Sequence, residues 1–287
     1  MQNRLKAKLM RGEKTIGTMS QLSSQIAVEC LGIAGLDFFI IDTEHAAIGP
    51  ESMRSLIMAS EKHPITALVR IPVITRDTVI KALDSGAGGL IVPAVETAEQ
   101  VRNLISFAKY PKDGVRGFSM IRTASYGYDE IAQNPDEYFR HFNEETLVIP
   151  QCETLGCLNN IEEIVAISGV DGIFIGPYDL STALGHPADF ENQEFRSALQ
   201  RILSVCRSHS KFVFMLSGSV EQTRTLFDEG FSGVVFSMDI NILIDTYRSA
   251  VDVLSAEKTI SHIRHATEAS AVEHGENPFA EYLAQLD

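Results

Sequence analysis

Eight short apolar runs, each followed by a stretch of helical period, limit what this chain can fold into more than any other feature. The runs are Thr15–Ser20, Asp37–Glu44, Ile65–Ile71, Gly89–Val95, Leu147–Glu153, Gly172–Tyr178, Lys211–Ser217 and Gly233–Asp239. Runs this short, rich in β-branched and aromatic residues, predict parallel strands buried on both faces. Between them the spacing predicts helices over Ser24–Ala34, Pro50–Lys62, Arg76–Ser85, Thr97–Lys109, Asn159–Ile167, Asn192–Ser208 and Val220–Glu229, with Ile240–Ala256 completing the alternation. Eight such units predict a single closed (β/α)8 barrel of the TIM type rather than an open dinucleotide-binding sheet. No G-x-G-x-x-G follows the first run, and Ser85–Gly89 leads into a strand, so it reads as a turn and not a phosphate cradle. A short helix over Asn3–Arg11 is expected to cap the barrel. The stretch Tyr110–Glu145 breaks the rhythm as a long functional loop or lid. Residues 1–256 are thus read as the catalytic barrel and 257–287 as a helical tail that packs on a neighbouring subunit or wraps the barrel.

A barrel brings the C-terminal ends of its strands onto one rim, where such folds do their chemistry. Here the rim collects Asp42, His45, Arg70, Glu96, Glu153, Asp179, Ser217 and Asp239. The run Asp37–His45, D-F-F-I-I-D-T-E-H, passes abruptly from apolar to ionisable. Its Asp42, Glu44 and His45 can be read as metal ligands or as a base with an orienting partner. Glu153 and Asp179 end neighbouring strands, and neither strand end carries a His beside its carboxylate. They suit a hard divalent ion such as Mg²⁺ or Mn²⁺, or else pair with a barrel arginine. Arg70, ending A-L-V-R-I-P, needs an anion, either a substrate carboxylate or a structural acid such as Glu153 or Asp42. The lysines fall at 6, 8, 14, 62, 81, 109, 112, 211 and 258, and none ends a strand, which disfavours a Schiff-base mechanism. No G-x-S-x-G elbow supports a serine hydrolase.

The net charge of −14 excludes nucleic acid and anionic membrane as expected partners, because both require basic patches. No apolar run is long enough to span a bilayer, and the N-terminal residues lack a signal-peptide core. Cys152 and Cys157, spaced C-x4-C, form a poor zinc pattern. With Cys30 and Cys206 they read as reduced thiols, which together with the missing leader predicts a cytoplasmic protein.

The motifs together resemble the HpcH/HpaI family of metal-dependent class II pyruvate aldolases, which includes 2,4-dihydroxyhept-2-ene-1,7-dioate aldolase and 2-dehydro-3-deoxyglucarate aldolase. The resemblance covers about Arg4 to Ala256. It rests on Gly17-Thr18, D-F-F-I-I-D-T-E-H, L-V-R-I-P at 68–72, A-L-D-S-G at 82–86 and L-I-V-P at 90–93. Further on it rests on G-V-R-G at 114–117, Q-C-E-T at 151–154 and G-I-F-I-G-P-Y-D-L-S at 172–181. It implies a divalent cofactor, Mg²⁺ or Mn²⁺ or else Co²⁺, held by Glu153 and Asp179. It makes Arg70 a contact for the pyruvate end, His45 the acid/base group and Asp42 its orienter. Gln151 assists near the metal, and Gly176, Pro177 and Tyr178 hold the pyruvate carboxylate. Asp84 reaches the site of a neighbouring subunit, and Arg122 matches a substrate-contacting arginine. The resemblance also implies a homo-oligomer, a hexamer built as a trimer of dimers. Ala46-Ala47-Ile48 after His45, Met19 after Gly17-Thr18 and the absence of Trp depart from the family pattern. All lie toward the acceptor side. The reaction implied is reversible aldol cleavage of a 4-hydroxy-2-oxo acid to pyruvate and an aldehyde. The competing readings are a citrate-forming condensation of acetyl-CoA with oxaloacetate on the same centre, as in siderophore assembly, and a non-catalytic barrel.

Overall fold

In the computed structural model, which describes residues 2–255, the chain begins with a helix of about two turns, α1 (Arg4–Met10), capped by the Asn3 side chain. Then come β1 (Thr15–Ser20), α2 (Gln25–Ile33), β2 (Phe38–Asp42), α3 (Pro50–Ser60), β3 (Thr66–Arg70), α4 (Arg76–Asp84), β4 (Gly89–Val92) and α5 (Ala98–Ala108). After two 3-10 turns, Arg122–Gly127 and Glu130–Gln133, come α6 (Pro135–Glu145), β5 (Leu147–Cys152), α7 (Leu155–Asn159) and α8 (Ile161–Ala166). The order closes with β6 (Gly172–Ile175), α9 (Pro177–Ala183), α10 (Gln193–Ser208), β7 (Phe212–Ser217), α11 (Val220–Glu229) and β8 (Gly233–Met238). The strands are all parallel and run in chain order around a closed barrel, β8 pairing back onto β1. This is the expected (β/α)8 architecture. The expected tail, 257–287, lies outside the described residues. Residues 239–255 are helical, those from Ile240 on belonging to a second unit, with Ile242, Leu243, Tyr247 and Leu254 on exposed positions.

Alternation along buried strands sends side chains both ways, and two cores result. Phe38, Ile40, Leu68, Ile91, Ile149, Phe174, Phe214 and Val235 fill the barrel, and Leu5 and Leu9 of α1 join the same cluster. The cap expected over Asn3–Arg11 therefore works by inserting two leucines. Phe39, Ile41, Val69, Leu90, Val92, Val148, Ile173 and Val234 face outward against the helices. Gly17 and Gly89 are required by this packing. A Cβ at Gly17 would lie 2.5 Å from the Phe38 ring, and one at Gly89 would lie 2.5 Å from the Leu147 carbonyl oxygen.

Several predicted elements change, the second strand ending at Asp42 and the fourth at Val92 among them. The sixth strand, read to Tyr178, ends at Ile175, because Pro177 occupies the first helical position and starts α9. Asp179 therefore stands in a helix's first turn and not on a strand. The helix predicted over Asn159–Ile167 is α8, Ile161–Ala166, and the short α7, Leu155–Asn159, precedes it without having been predicted. The segment read as a loop over Tyr110–Glu145 contains α6, opened by Pro135 with Asp136 and Glu137 in its first turn. It also carries a small aromatic core of Tyr110, Tyr138, Phe118, Phe139 and Phe142. Arg116 stacks over the Tyr110 ring at 4.6 Å.

Candidate active site

The register of β2 against β3 sets Asp42 opposite Arg70, at the last pair of both strands. That placement makes the ion pair: Arg70 Nη2 lies 2.9 Å and Nε 3.0 Å from the two Asp42 oxygens. Asp42 is fully buried, and Arg70 nearly so. Burial alone would push the Asp42 carboxyl up. The Arg70 hydrogen bonds and charge, with a bond from Gln21, outweigh it and hold the group below its ordinary range. Asp42 also accepts from the backbone N–H groups of Glu44 and His45 at 3.1 and 3.2 Å, tying down the turn that follows the strand. The His45 ring stands largely in solvent, 64% exposed.

Glu153 follows β5 directly. Its Oε1 accepts from Ala94 N–H at 2.6 Å, and its Oε2 from the Gln151 amide. Ala94 adopts a left-handed φ of 52° just past β4. Such a conformation costs a non-glycine residue roughly 1–2 kcal/mol, and here it turns an N–H toward a rim carboxylate. Burial pushes the Glu153 carboxyl up, and the neighbouring charges of Asp179 and Glu44 push the same way. Glu44 is likewise raised, by burial first, with Asp42 and Asp179 adding to it against Arg70 and His45. The charges of Glu44, Glu153 and Asp179 thus bear on one another, and Glu44 lies 3.3 Å from Arg70 Nε. Two buried acceptor atoms there, Glu44 Oε2 and Gln151 Oε1, have no hydrogen-bond partner. Asp179, exposed in the first turn of α9, has no hydrogen-bond or ion-pair partner among the described residues.

These observations fit a divalent cation. Mutually repelling carboxylates, one of them buried, and buried oxygens that accept no hydrogen bond are what an ion and its water would satisfy. No group of three or more His, Cys, Asp or Glu side chains is arranged to hold a metal among the described residues. Glu153 and Asp179 are carboxylates here that could hold such an ion, with water and substrate in the remaining positions, which suits an oxygen-preferring ion that keeps part of its hydration. Gly176 lets the backbone pass close to this group: a Cβ there would lie 2.7 Å from Glu153 Oε2 and 2.9 Å from Gln151 Nε2. Gly176→Ala is accordingly expected to weaken divalent binding by at least about tenfold, the low end of losses seen when a ligand's support is disturbed. Calorimetric titration with Mn²⁺ reads that loss, while the circular-dichroism spectrum stays that of the parent.

Of the amides expected to hold a carboxylate, Pro177 has no N–H and the Gly176 N–H donates to Cys152 O at 3.2 Å. The donors left in this turn begin at Tyr178, whose ring packs edge-on against Phe190. Asp84 and Arg122 stand elsewhere. Asp84 ends α4, on the side where the strands begin, and pairs with the buried Arg116 at 2.7 Å. Arg122 forms a two-point pair with Glu61. Arg116 and Arg122 line a cavity of about 420 Å³ at that end, together with Asn3, Thr66 and Gly86. Neither Asp84 nor Arg122 joins this chain's own rim. Glu96 is also set apart, against Gly156 at the start of α7.

Sequence reasoning missed Gln21, whose amide donates to Asp42 Oδ2 at 2.9 Å. Its position just past β1 was the available signal. Asp239, past β8, holds that loop by accepting from Ser20 Oγ and the Gln21 and Leu22 amides. Lys109 is a lysine with a lowered pKa, about 8, caused by burial. It donates to the Asn143 and Thr146 carbonyls beside the start of β5, the end away from the rim. It is therefore out of reach as a Schiff-base amine.

The sequence model described as HpcH/HpaI aldolase/citrate lyase matches residues 16–246. A 5-keto-4-deoxy-D-glucarate aldolase of Klebsiella pneumoniae is 32% identical over 253 residues, covering 88% of this chain and 95% of that protein. Among solved structures, an HpcH/HpaI aldolase/citrate lyase family protein from Burkholderia cenocepacia superimposes with a TM-score of 0.82 at 30% identity, covering 88% of this chain and 99% of the other. The citrate synthase SbnG superimposes with a TM-score of 0.78 at 28% identity, covering 90% and 98%.

Proposed function

Since the chain belongs to the HpcH/HpaI aldolase/citrate lyase family and is a class II aldolase, we propose that it cleaves a 4-hydroxy-2-oxo acid reversibly to pyruvate and an aldehyde, with Glu153 and Asp179 holding the divalent ion. The observation that carries this reading is the buried Glu153 carboxyl, pushed up by burial and by the charges of Asp179 and Glu44, beside buried oxygens of Gln151 and Glu44 that accept no hydrogen bond. The relatives named for 5-keto-4-deoxy-D-glucarate favour a polyhydroxylated diacid as substrate. When bound, the cation supplies Lewis-acid stabilisation of the charge that develops on the 2-oxo acid's oxygens.

The rest is the chain's own work. Arg70 keeps a guanidinium face beside that charge, held by Asp42. His45 takes the C4-hydroxyl proton. The oxygen's electron pair then forms the aldehyde carbonyl, the C3–C4 bond breaks, and its pair becomes the enolate of pyruvate, which is protonated at C3. Gln151 and the turn beginning at Tyr178 orient the carboxylate end. Asp84 and Arg122, facing away from this rim, serve the acceptor end of a neighbouring copy in a homo-oligomer, a trimer of dimers. The ion is Mg²⁺ or Mn²⁺. Free, buried Cys152, Cys157 and Cys206 suit a reducing cytoplasm. The citrate-forming alternative is supported only by the likeness to SbnG. Release of pyruvate from 4-hydroxy-2-oxo acids, against thiol release from acetyl-CoA with oxaloacetate, separates the two.

The raised carboxyls give a pH dependence of definite sign. A carboxyl whose folded pKa lies above its unfolded value is disfavoured as an anion in the fold. It therefore costs stability at neutral pH, and the cost fades as pH falls through the raised pKa. A divalent ion relieves that cost only where the carboxylates are ionised. Saturating Mg²⁺ is expected to raise the melting temperature at pH 7–8, and the gain is expected to shrink as pH falls toward the ordinary glutamate value of 4.5. Differential scanning calorimetry at several pH values checks it.

A further inference from the structure

We propose that Glu44, and not Asp42, is the carboxylate that holds the imidazole of His45. The inference rests on His45 being the proton carrier and names its positioning residue. Asp42 has no capacity left for a ring nitrogen. Its Oδ1 accepts from Arg70 Nε and from the Glu44 and His45 amides, and its Oδ2 from Arg70 Nη2 and Gln21 Nε2. Five donors already meet a group with about four lone-pair positions. Asp42 thus fixes the backbone that carries His45 and leaves the ring alone.

Glu44 is in the opposite condition. Its Oε2 is buried and without a hydrogen bond, and it stands 3.7 Å from His45 Nε2. Arg70 Nε lies 3.3 Å from the same oxygen but is already committed to Asp42 at 3.0 Å. A distance of 3.7 Å exceeds a hydrogen bond, yet the ring is exposed and closes it by a small side-chain rotation. The charged groups around the pair are Asp42 on the same loop, Arg70 from β3, Asp179 from α9 and Glu153 past β5. With Nε2–H donated to Glu44, Nδ1 is left bare to take the C4-hydroxyl proton. The carboxylate fixes both the tautomer and the ring's direction, as orienting acids do for catalytic imidazoles.

The test compares the Mg²⁺-loaded parent with Glu44→Ala and Asp42→Asn. Long-range ¹H–¹⁵N correlations through the carbon-bound ring protons, assigned with His45→Gln, report the tautomer without relying on exchangeable protons. The parent is expected to show His45 predominantly protonated at Nε2. Glu44→Ala is expected to mix the two tautomers and lower kcat on the order of tenfold, less than loss of the base itself, while KM for the 2-oxo acid stays within about twofold of the parent. Asp42→Asn should leave the tautomer as it is and raise KM through Arg70. An unchanged His45 spectrum in Glu44→Ala, or loss of the Nε2–H form in Asp42→Asn, overturns the proposal. If Asp42→Asn does not fold, the Glu44→Ala spectrum decides alone. Full kcat in His45→Ala would instead defeat the catalytic reading and leave the Glu44–His45 contact standing.

Discussion

Replacing Glu153 with alanine is expected to abolish divalent-ion binding and aldol cleavage together. In the proposed site this side chain is one of the two carboxylates that hold the ion, and no group of three or more His, Cys, Asp or Glu side chains is arranged to replace it among the described residues. Its oxygens are already aimed by the Ala94 N–H and the Gln151 amide, so the ligand is pre-set before any ion arrives. Losing several kcal/mol of charge stabilisation, at 1.36 kcal/mol per tenfold, amounts to a fall of about 10³-fold or more in kcat/KM. Mn²⁺ titration by calorimetry or electron paramagnetic resonance, run beside a pyruvate-release assay, reads both halves. A variant that loses the ion and keeps its turnover would show that the ion is structural.

His45→Ala has the opposite signature. Its ring is 64% exposed, so truncation leaves no cavity and costs little stability, within about 0.5 kcal/mol for a surface site. Ion affinity should stay near that of the parent, because neither ligand depends on the ring. Turnover should fall by about 10²–10⁴-fold, the range general-base help supplies. Stopped-time pyruvate release at saturating substrate and ion measures it. If turnover persists within about threefold, a water or Glu44 carries the proton instead.

The barrel could be read from the chain because each strand is a contiguous apolar run and each helix has a regular period. Local patterns of that kind are complete within a few residues. The placing of Asp42, Arg70 and Glu153 was legible for a related reason: strand ends share a rim whatever the loops do. Pro177 was legible in retrospect, since a proline after Gly176 opens a helix more readily than it continues a strand. What remained hidden depends on pairings across the fold. Asp42 sits three residues before His45, which suggests an orienter for the ring. The β2–β3 register instead presents it to Arg70, and Gln21 reaches it from another loop. Glu44, adjacent to His45, draws no single role from the sequence, because nothing in its neighbourhood along the chain reveals a buried oxygen without a donor. Asp84 and Arg122 appeared as candidates through motif and not through position, and the fold puts both where the strands begin.

The central claim is that two rim carboxylates hold an ion on which carbon–carbon cleavage depends, with no covalent adduct to the chain. The most direct measurement follows pyruvate formation from a 4-hydroxy-2-oxo acid in chelator-stripped enzyme, then after adding back Mn²⁺, with borohydride present in parallel samples. Cleavage is expected to vanish on stripping, to return on saturation with Mn²⁺, and to leave no borohydride-trapped mass on the protein. Undiminished cleavage in the stripped enzyme, with pyruvate trapped on a lysine, would contradict the account.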